Sequence, residues 1–154
     1  MSHLQIGTAS ENPQIPPGDA DAILGFEEAE AVRRAVTYLK EGGLAIINSR
    51  RLPPVEVISG MTTYPSSARL VELLSHITIN AFSFDATAIA QQAGDPIAMN
   101  VVMLGALSES GCLPFSKGHL LDVMKKSISS RYLSMNLKAF ELGSKAFRDP
   151  REVA

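Results

Sequence analysis

The sequence predicts an α/β fold: a three-layer unit with a mostly parallel sheet, followed by a C-terminal helical cluster. Short and almost wholly apolar runs, such as Leu44–Ile47, alternate with segments of helical spacing through the first half of the chain. Such runs are typical of parallel strands that are buried on both faces, and their alternation with helices is typical of three-layer α/β proteins. No convincing strand pattern follows Phe84. We therefore expect a partial Rossmann-like domain.

Length and composition limit the class of protein. The length of 154 residues fits a single domain over residues 1–154. Hydrophobic residues make up 45% of the chain and charged residues 19%, a composition that excludes a disordered chain. Fourteen basic against sixteen acidic residues give a formal net charge of −2, which excludes a generally basic nucleic-acid binder. A single cysteine excludes a disulfide framework and makes a reducing cytoplasm the expected compartment. No signal peptide or membrane-length apolar run is present, so no membrane partner is expected.

The first elements follow from apolar runs and helix signals. Ala22–Leu24 is predicted to be a strand, and Glu28–Lys40 has the spacing of an amphipathic helix with an acidic start. Gly42-Gly43 is expected to end this helix. Leu44–Ile47 is predicted to be the second strand.

The next elements complete the sheet. Val55–Thr63 is ambiguous and is interpreted as an extended edge segment, and Pro65-Ser66-Ser67 is expected to open a helix. Ile77–Phe84 is predicted to be the third strand. Asp85 is well placed to cap a helix over Ala86–Ala93.

The remaining chain is predicted to be helical. Asp95-Pro96 has the form of an N-cap followed by proline at the first helical position. Ile97–Leu107 is apolar nearly all round and is expected to be deeply packed. Ser116 is expected to begin a further helix, and a last helix is predicted from about Tyr132 to Phe147.

Two asparagines lie in predicted helices and carry no functional signal of their own. Asn100 belongs to the apolar helix and Asn136 to the last helix. A buried asparagine needs partners for its amide, so we expect each to tie its helix to a neighbouring backbone. Binding of a ligand is the less favoured alternative.

Metal and nucleophile chemistry receives little support. His3, His76 and His119 lie far apart with no pair at ligand spacing, so no metal site is expected. Cys112 lies in a short link between predicted helices, and Lys117 is the nearby cation. An unreactive, partly buried thiol is therefore the favoured interpretation. No nucleotide, hydrolase or metalloprotease motif is found, so no catalytic residue is assigned.

A crevice at the carboxyl ends of the strands is the best candidate binding site. In open α/β sheets, ligands bind beyond the carboxyl ends of parallel strands. Candidates there, beside the segment Gly25-Phe26-Glu27, are Asn48, Ser49, Arg50, Asp85 and Thr87. The alternative is that Ser49 and Asp85 serve only as turn and capping residues and that the arginine is solvated.

Several blocks of the sequence resemble the gamma domain of 2-oxoacid:ferredoxin oxidoreductases, and most closely the indolepyruvate-type small (beta) subunit. The main blocks are Asp85-Ala86-Thr87-x-x-Ala90-x-x-x-Gly94 and Asn100-x-x-Met103-Leu104-Gly105-Ala106-Leu107. Further matching pieces are Leu113-Pro114-Phe115, Asn136-x-x-Ala139-Phe140-x-x-Gly143, Ser2–Gly7, Asp21–Glu27 and Glu30-Ala31. Their order and spacing along nearly the whole chain make the resemblance fairly specific.

The resemblance implies a reaction and partners. Such enzymes oxidatively decarboxylate a 2-oxoacid, pass electrons to ferredoxin and form an acyl-coenzyme A. Thiamine diphosphate and iron–sulfur clusters are expected on other domains or on an alpha-type partner subunit, with coenzyme A in the complete complex and no cofactor on this chain. The alternative function is a stand-alone α/β module that binds a small anion without redox activity.

One departure from the family concerns the front of the domain. The family domain begins with a strand, a glycine-rich turn and a helix ahead of the block that matches Ser2–Gly7. This chain is therefore expected to be an N-terminally truncated domain without the loop associated with coenzyme A. An incomplete sheet leaves an unpaired edge, with Leu4–Ile6 and Val55–Thr63 as expected edges. The isolated chain is accordingly expected to be a homodimer.

Overall fold

The computed structural model describes residues 1–7, 13–50 and 65–149 of the chain. Its strands are β1 (Ala20–Gly25), β2 (Leu39–Asn48) and β3 (Ala81–Phe84). Its helices are α1 (Glu28–Tyr38), α2 (Ser67–Ser75), α3 (Ala86–Ala93), α4 (Met99–Glu109), α5 (Lys117–Ser127) and α6 (Ser130–Arg148). A 3₁₀ turn over Pro96–Ala98 precedes α4.

The described strands form a parallel sheet between two layers of helices. The order is β1-β2-β3, and both pairings are parallel. Because side chains alternate along β2, Ile46 points into a core formed with α3, α4 and α6, while Ala45 and Ile47 point into a second core with α1 and α2. The predicted fold class, a three-layer α/β unit with a C-terminal helical cluster, is confirmed.

The prediction that Gly42-Gly43 ends the first helix is wrong. The helix α1 ends at Tyr38, and both glycines lie inside β2. The pairing of β1 with β2 shifts register here, so that Ala20 pairs with Leu39 whereas Ala22 pairs with Leu44. The extra residues bulge out of the ladder, and Gly42 takes a φ of +70° that other residues rarely adopt.

The third strand is shorter than predicted, and the edge strands of the described sheet are not the ones predicted. The strand begins at Ala81, because the preceding residues are held by side-chain bonds: the buried hydroxyl of Thr78 donates to the carbonyl of Gly43 and accepts the amide of Asn80 at 3.0 Å. Leu4–Ile6 is not a strand, so its prediction as an edge is wrong. The edges of the described sheet are β1 and β3. The predicted edge segment Val55–Thr63 lies outside the described residues.

An open cavity of about 220 Å³ lies beside β3 on the α1 and α2 face of the sheet. Its walls include Val32, Leu70 and Leu74, and Ile79 at its rim is 92% exposed. This face of β3 is therefore less covered than the opposite face, where Phe84 is buried.

The helix boundaries that depend on local capping agree with the sequence. The carboxylate of Asp85 accepts a hydrogen bond from the amide of Ala88 at 2.7 Å and caps the start of α3, which spans Ala86–Ala93 as predicted. Ser116 caps α5 by accepting the amide of His119 at 3.2 Å. Asp95 caps the 3₁₀ turn, which lies where the sequence suggested the first turn of an α-helix.

Close packing of α4 against α6 depends on two glycines. A Cβ atom added at Gly105 would collide with the carbonyl oxygen of Phe140, and one added at Gly143 with that of Val102. These backbones can approach one another only because neither position carries a side chain. The residues around the contact, including Met103 and Phe140, are fully buried.

Both predictions about the helical asparagines are wrong. Asn100 is exposed, and its side-chain oxygen accepts only the adjacent amide of Val101, at 3.0 Å. Asn136 is half-buried and donates to the carbonyl of Tyr132 at 2.8 Å, within its own helix. Among the described residues, neither side chain hydrogen-bonds to the backbone of a neighbouring helix: the bond of Asn100 is to the next residue, and that of Asn136 is one turn back in its own helix.

Candidate binding crevice at the carboxyl ends of the strands

The structure brings the predicted crevice segments together. Since all three strands are parallel, the residues that follow β1, β2 and β3 lie at the same edge of the sheet. The amide of Ser49 donates to the carbonyl of Phe84 at 3.0 Å and extends the pairing of β2 with β3 to this edge. The crevice is therefore the meeting point of three loops.

Asn48 links these three loops. Its side chain is 1% exposed, and its Nδ2 donates to the carbonyl of Phe26 at 3.3 Å and to the Oγ1 of Thr87 at 3.2 Å. Its Oδ1 accepts the amide of Ala86 at 3.0 Å and the amide of Arg50 at 3.3 Å. Every hydrogen-bonding position that the side chain commonly uses is filled from within the chain. Asn48, with Thr87 as one of its partners, thus organises the crevice.

The amides at the starts of the two neighbouring helices are already capped by carboxylates. The two oxygens of Glu27 accept the amides of Ala29 at 3.1 Å and Glu30 at 2.8 Å, at the start of α1. At the start of α3, one carboxylate oxygen of Asp85 accepts a hydrogen bond from the amide of Ala88 at 2.7 Å. Helix N-termini attract anions, but here the chain itself provides the negative charge. The geometry therefore does not favour a small free anion at this edge.

Two side chains at the crevice face outwards. Arg50 is exposed and carries the positive charge among the five candidate residues. Phe26 is 45% exposed, although its carbonyl is held by Asn48. A single exposed aromatic side chain is common on protein surfaces and does not by itself mark an interface.

A polar cluster outside the crevice was not predicted from the sequence. Ser144, fully buried in α6, donates to Glu109 and accepts a hydrogen bond from Lys117 at 2.8 Å. Lys117 also contacts Glu141 at 2.9 Å, and Arg148 contacts Glu109 at 3.1 Å. The hydroxyl of Ser144, and then the nearby cations, hold the pKa of Glu109 below its usual value. The cluster joins α4, α5 and α6, so its evident role is structural.

The described residues offer no metal centre. Within residues 1–7, 13–50 and 65–149 no group of three His, Cys, Asp or Glu side chains is arranged to hold a metal ion. Partial burial of the sulfur, and then the carboxylate of Asp21, raise the pKa of Cys112, although much of that residue is exposed. A raised pKa favours the unreactive thiol. In the same part of the chain, no helix is long and apolar enough to cross a membrane.

Comparison with protein families identifies the chain's relatives. The profile of the family described as pyruvate ferredoxin/flavodoxin oxidoreductase matches residues 1–146. The chain belongs to this family. The blocks of residues that resemble its gamma domain are thus explained, and the resemblance is confirmed.

Individual relatives of this oxidoreductase-family chain point to one branch. It is 37% identical over 150 residues to "Indolepyruvate oxidoreductase subunit IorB" of Pyrococcus horikoshii and 36% identical to the protein of the same name from Thermococcus kodakarensis. Each match covers 97% of this chain and 74% of the relative.

A solved structure shows the same fold. The gamma subunit of a keto/oxoacid ferredoxin oxidoreductase from Geobacter sulfurreducens superposes with a TM-score of 0.59 at 20% identity, over 85% of this chain. The chain spans 66% of that subunit, just under two thirds of its length. At this identity the likeness establishes the fold.

An iron–sulfur cluster does not fit this chain. Such clusters need about four cysteine ligands, and the chain has one cysteine. The crevice is also a poor cradle for the phosphates of coenzyme A, because carboxylates occupy both helix starts.

Proposed function

We propose that this chain is a subunit, or a domain of a subunit, of an indolepyruvate ferredoxin oxidoreductase. The observation that carries the proposal is the similarity to the curated indolepyruvate oxidoreductase subunits over nearly the whole chain. The family match and the common fold agree with it.

On this proposal the chain packs against an alpha-type subunit that bears thiamine diphosphate. When bound there, thiamine diphosphate and iron–sulfur clusters supply the decarboxylation and electron-transfer chemistry, which delivers electrons to ferredoxin and an acyl group to coenzyme A. The present chain supplies a surface that contacts the partner subunit and helps to position it. Its crevice has no nucleophile–base pair among the described residues and is organised by internal hydrogen bonds.

The fixed loops at the crevice give this role a physical basis. Asn48 holds the loops after β1, β2 and β3 in one arrangement, so Phe26 and Arg50 are presented from a rigid edge. A rigid surface loses little conformational entropy when it meets a partner. The exposed ring of Phe26 and the guanidinium of Arg50 suit contact with the partner subunit, because aromatic residues and arginine are enriched at the centres of protein interfaces.

Enzyme assays with and without the partner test the proposal. The purified chain is mixed with indolepyruvate, coenzyme A, thiamine diphosphate and an artificial electron acceptor, alone or with the alpha-type subunit encoded in the same genome. We expect no turnover by the chain alone, and turnover by the pair that exceeds that of the alpha-type subunit alone. Turnover by the chain alone, or a pair no more active than the alpha-type subunit, would contradict the proposal.

The stand-alone anion-binding module gains no support from the crevice. Both helix starts are capped by carboxylates of the chain, which repel a further anion. Titration with inorganic phosphate separates the two functions: we expect no saturable binding at millimolar concentration.

A further inference from the structure

Positive charge is concentrated on the last two helices, α5 and α6. Residues 117–148 carry seven basic and two acidic side chains, although the whole chain has a formal net charge of −2. Six of the seven basic residues are exposed: Lys125, Lys126, Arg131, Lys138, Lys145 and Arg148. The charge is therefore segregated, with a basic helical surface on an otherwise acidic chain.

Three of these cations form a straight row, which we call the basic stripe. Arg131, Lys138 and Lys145 are seven residues apart on α6, a helix of 19 residues. Seven residues are close to two full turns, so the three side chains leave the helix along one line, about 10 Å apart and about 21 Å from end to end.

The stripe is not neutralised by the described part of the chain. Other exposed cations, such as Arg33 and Arg69, form ion pairs with carboxylates on their own helices. Arg131 and Lys145 form no ion pair with a described residue. Lys138 donates to the carbonyl of Gln92 at 2.8 Å, which positions its ammonium group without cancelling the charge. Among the described residues, these three positive charges therefore have no ion-pair partner.

One end of the stripe carries an exposed aromatic ring. The guanidinium of Arg131 lies 5.2 Å from the centre of the Tyr132 ring, and Tyr132 is 48% exposed. Arginine and tyrosine are the residue types most common at the energetic centres of protein interfaces. The side chains of Met135 and Leu142 near the stripe pack against the core, so they offer no apolar face to a bilayer.

We propose that the basic stripe (Arg131, Lys138 and Lys145) is the docking surface for an acidic face of the alpha-type partner subunit. This inference rests on the proposed function, which requires a protein partner. A protein is favoured over nucleic acid, since Lys125 and Arg148 are already paired with carboxylates of this chain, and the remaining exposed cations neutralise few phosphates. Complementary carboxylates about 10 Å apart would match the row and set the orientation of the subunits.

Charge reversal tests the stripe in the full chain. The variant R131E/K138E/K145E is compared with R33E/K40E/R69E, which makes the same change of charge at exposed cations elsewhere. Each is titrated against the alpha-type subunit from the same genome by biolayer interferometry. We expect the stripe variant to bind at least about 30-fold more weakly than the wild type. The control variant is expected to stay within about threefold, since Arg33 and Arg69 lie on α1 and α2, which cover the opposite face of the sheet from α6.

A carbodiimide cross-linking experiment needs no variant. It joins a lysine amine to a carboxylate that is already in contact, and we expect amides between Lys138 or Lys145 and Asp or Glu residues of the partner subunit. Circular dichroism establishes that each variant is folded before binding is measured. Cross-links confined to lysines outside the stripe would contradict the proposal even if the stripe variant failed to fold.

The outcomes separate the two proposals. If the wild-type chain does not bind the alpha-type subunit, the proposed function fails, and the docking surface fails with it. If the wild type binds and the stripe variant binds as well as the control, the docking surface alone is wrong. The wild type and the stripe variant are also tested against a DNA duplex and against phosphatidylserine vesicles. If the stripe variant loses binding to either of these but still binds the alpha-type subunit, the proposed docking surface is likewise wrong.

Discussion

Replacing Asn48 with leucine removes the side chain that holds the three crevice loops together. Leucine has a similar size but cannot hydrogen-bond, so four groups lose their partner: the amides of Arg50 and Ala86, the carbonyl of Phe26 and the hydroxyl of Thr87. The substitution Asn48→Leu thus tests whether these bonds, rather than apolar packing, hold the crevice.

The expected loss of stability follows from the burial of each group. The amide of Ala86 is buried and has the shortest of the four bonds, at 3.0 Å, so leaving it unpaired costs about 1–3 kcal/mol. The other three bonds, at 3.2–3.3 Å, are partly buried, and losing each costs about 0.5 kcal/mol. We expect a total of about 2.5–4.5 kcal/mol, a large part of the stability of an ordinary domain.

Urea unfolding followed by circular dichroism measures this loss. The same substitution at an exposed position, Asn100→Leu, is the matched control and should change the free energy of unfolding by less than about 0.5 kcal/mol. If both variants unfold at the wild-type midpoint, the four bonds contribute no net stability and the reasoning is refuted.

Three further predictions concern packing, pH and assembly. Gly143→Ala should lower the free energy of unfolding by about 3 kcal/mol or more, because the added methyl group meets a backbone carbonyl of α4. Gly118→Ala, where the nearest neighbouring atom is 3.7 Å away, should cause no such loss. Equal urea midpoints for the two variants would refute this prediction. The lowered pKa of Glu109 favours the native state above the ordinary pKa of about 4.3 and loses this effect as the pH falls through the native value. Glu109→Gln should therefore cost about 1 kcal/mol at pH 7 and nothing in strong acid, and a pH-independent difference would contradict it. The isolated chain should be a homodimer by light scattering, because β1 and β3 are open edges of the described sheet; a monomer at every concentration would show otherwise.

The elements that were predicted well are those fixed by local chemistry. The bounds of α3 follow from the Asp85 cap and the Gly94 stop, and both signals lie within one turn of the helix. The starts of α2 and α5 follow in the same way from Ser66 and Ser116. The convergence of the crevice segments follows from a general rule for parallel sheets.

The features that were missed depend on contacts between distant residues. The bulge at Gly42 arises from the pairing of β2 with β1, which cannot be read from the glycines themselves. Asn48 reaches partners 22 and 39 residues away, so its role as a link is visible only once the loops are in place. The exposure of Asn100 depends on how α4 rotates after the 3₁₀ turn, and an almost wholly apolar helix gives no indication of that rotation.

The most direct test of the proposed function is substrate selectivity in the assembled enzyme. The chain is co-expressed with the alpha-type subunit from its own genome, and kcat/KM for reduction of ferredoxin is measured with indolepyruvate, pyruvate, 2-oxoglutarate and 2-ketoisovalerate. We predict a complex that contains both chains and prefers indolepyruvate by at least about tenfold, which corresponds to about 1.4 kcal/mol in transition-state binding. A complex that prefers another 2-oxoacid would contradict the indolepyruvate assignment, and the absence of any complex would contradict the subunit role itself.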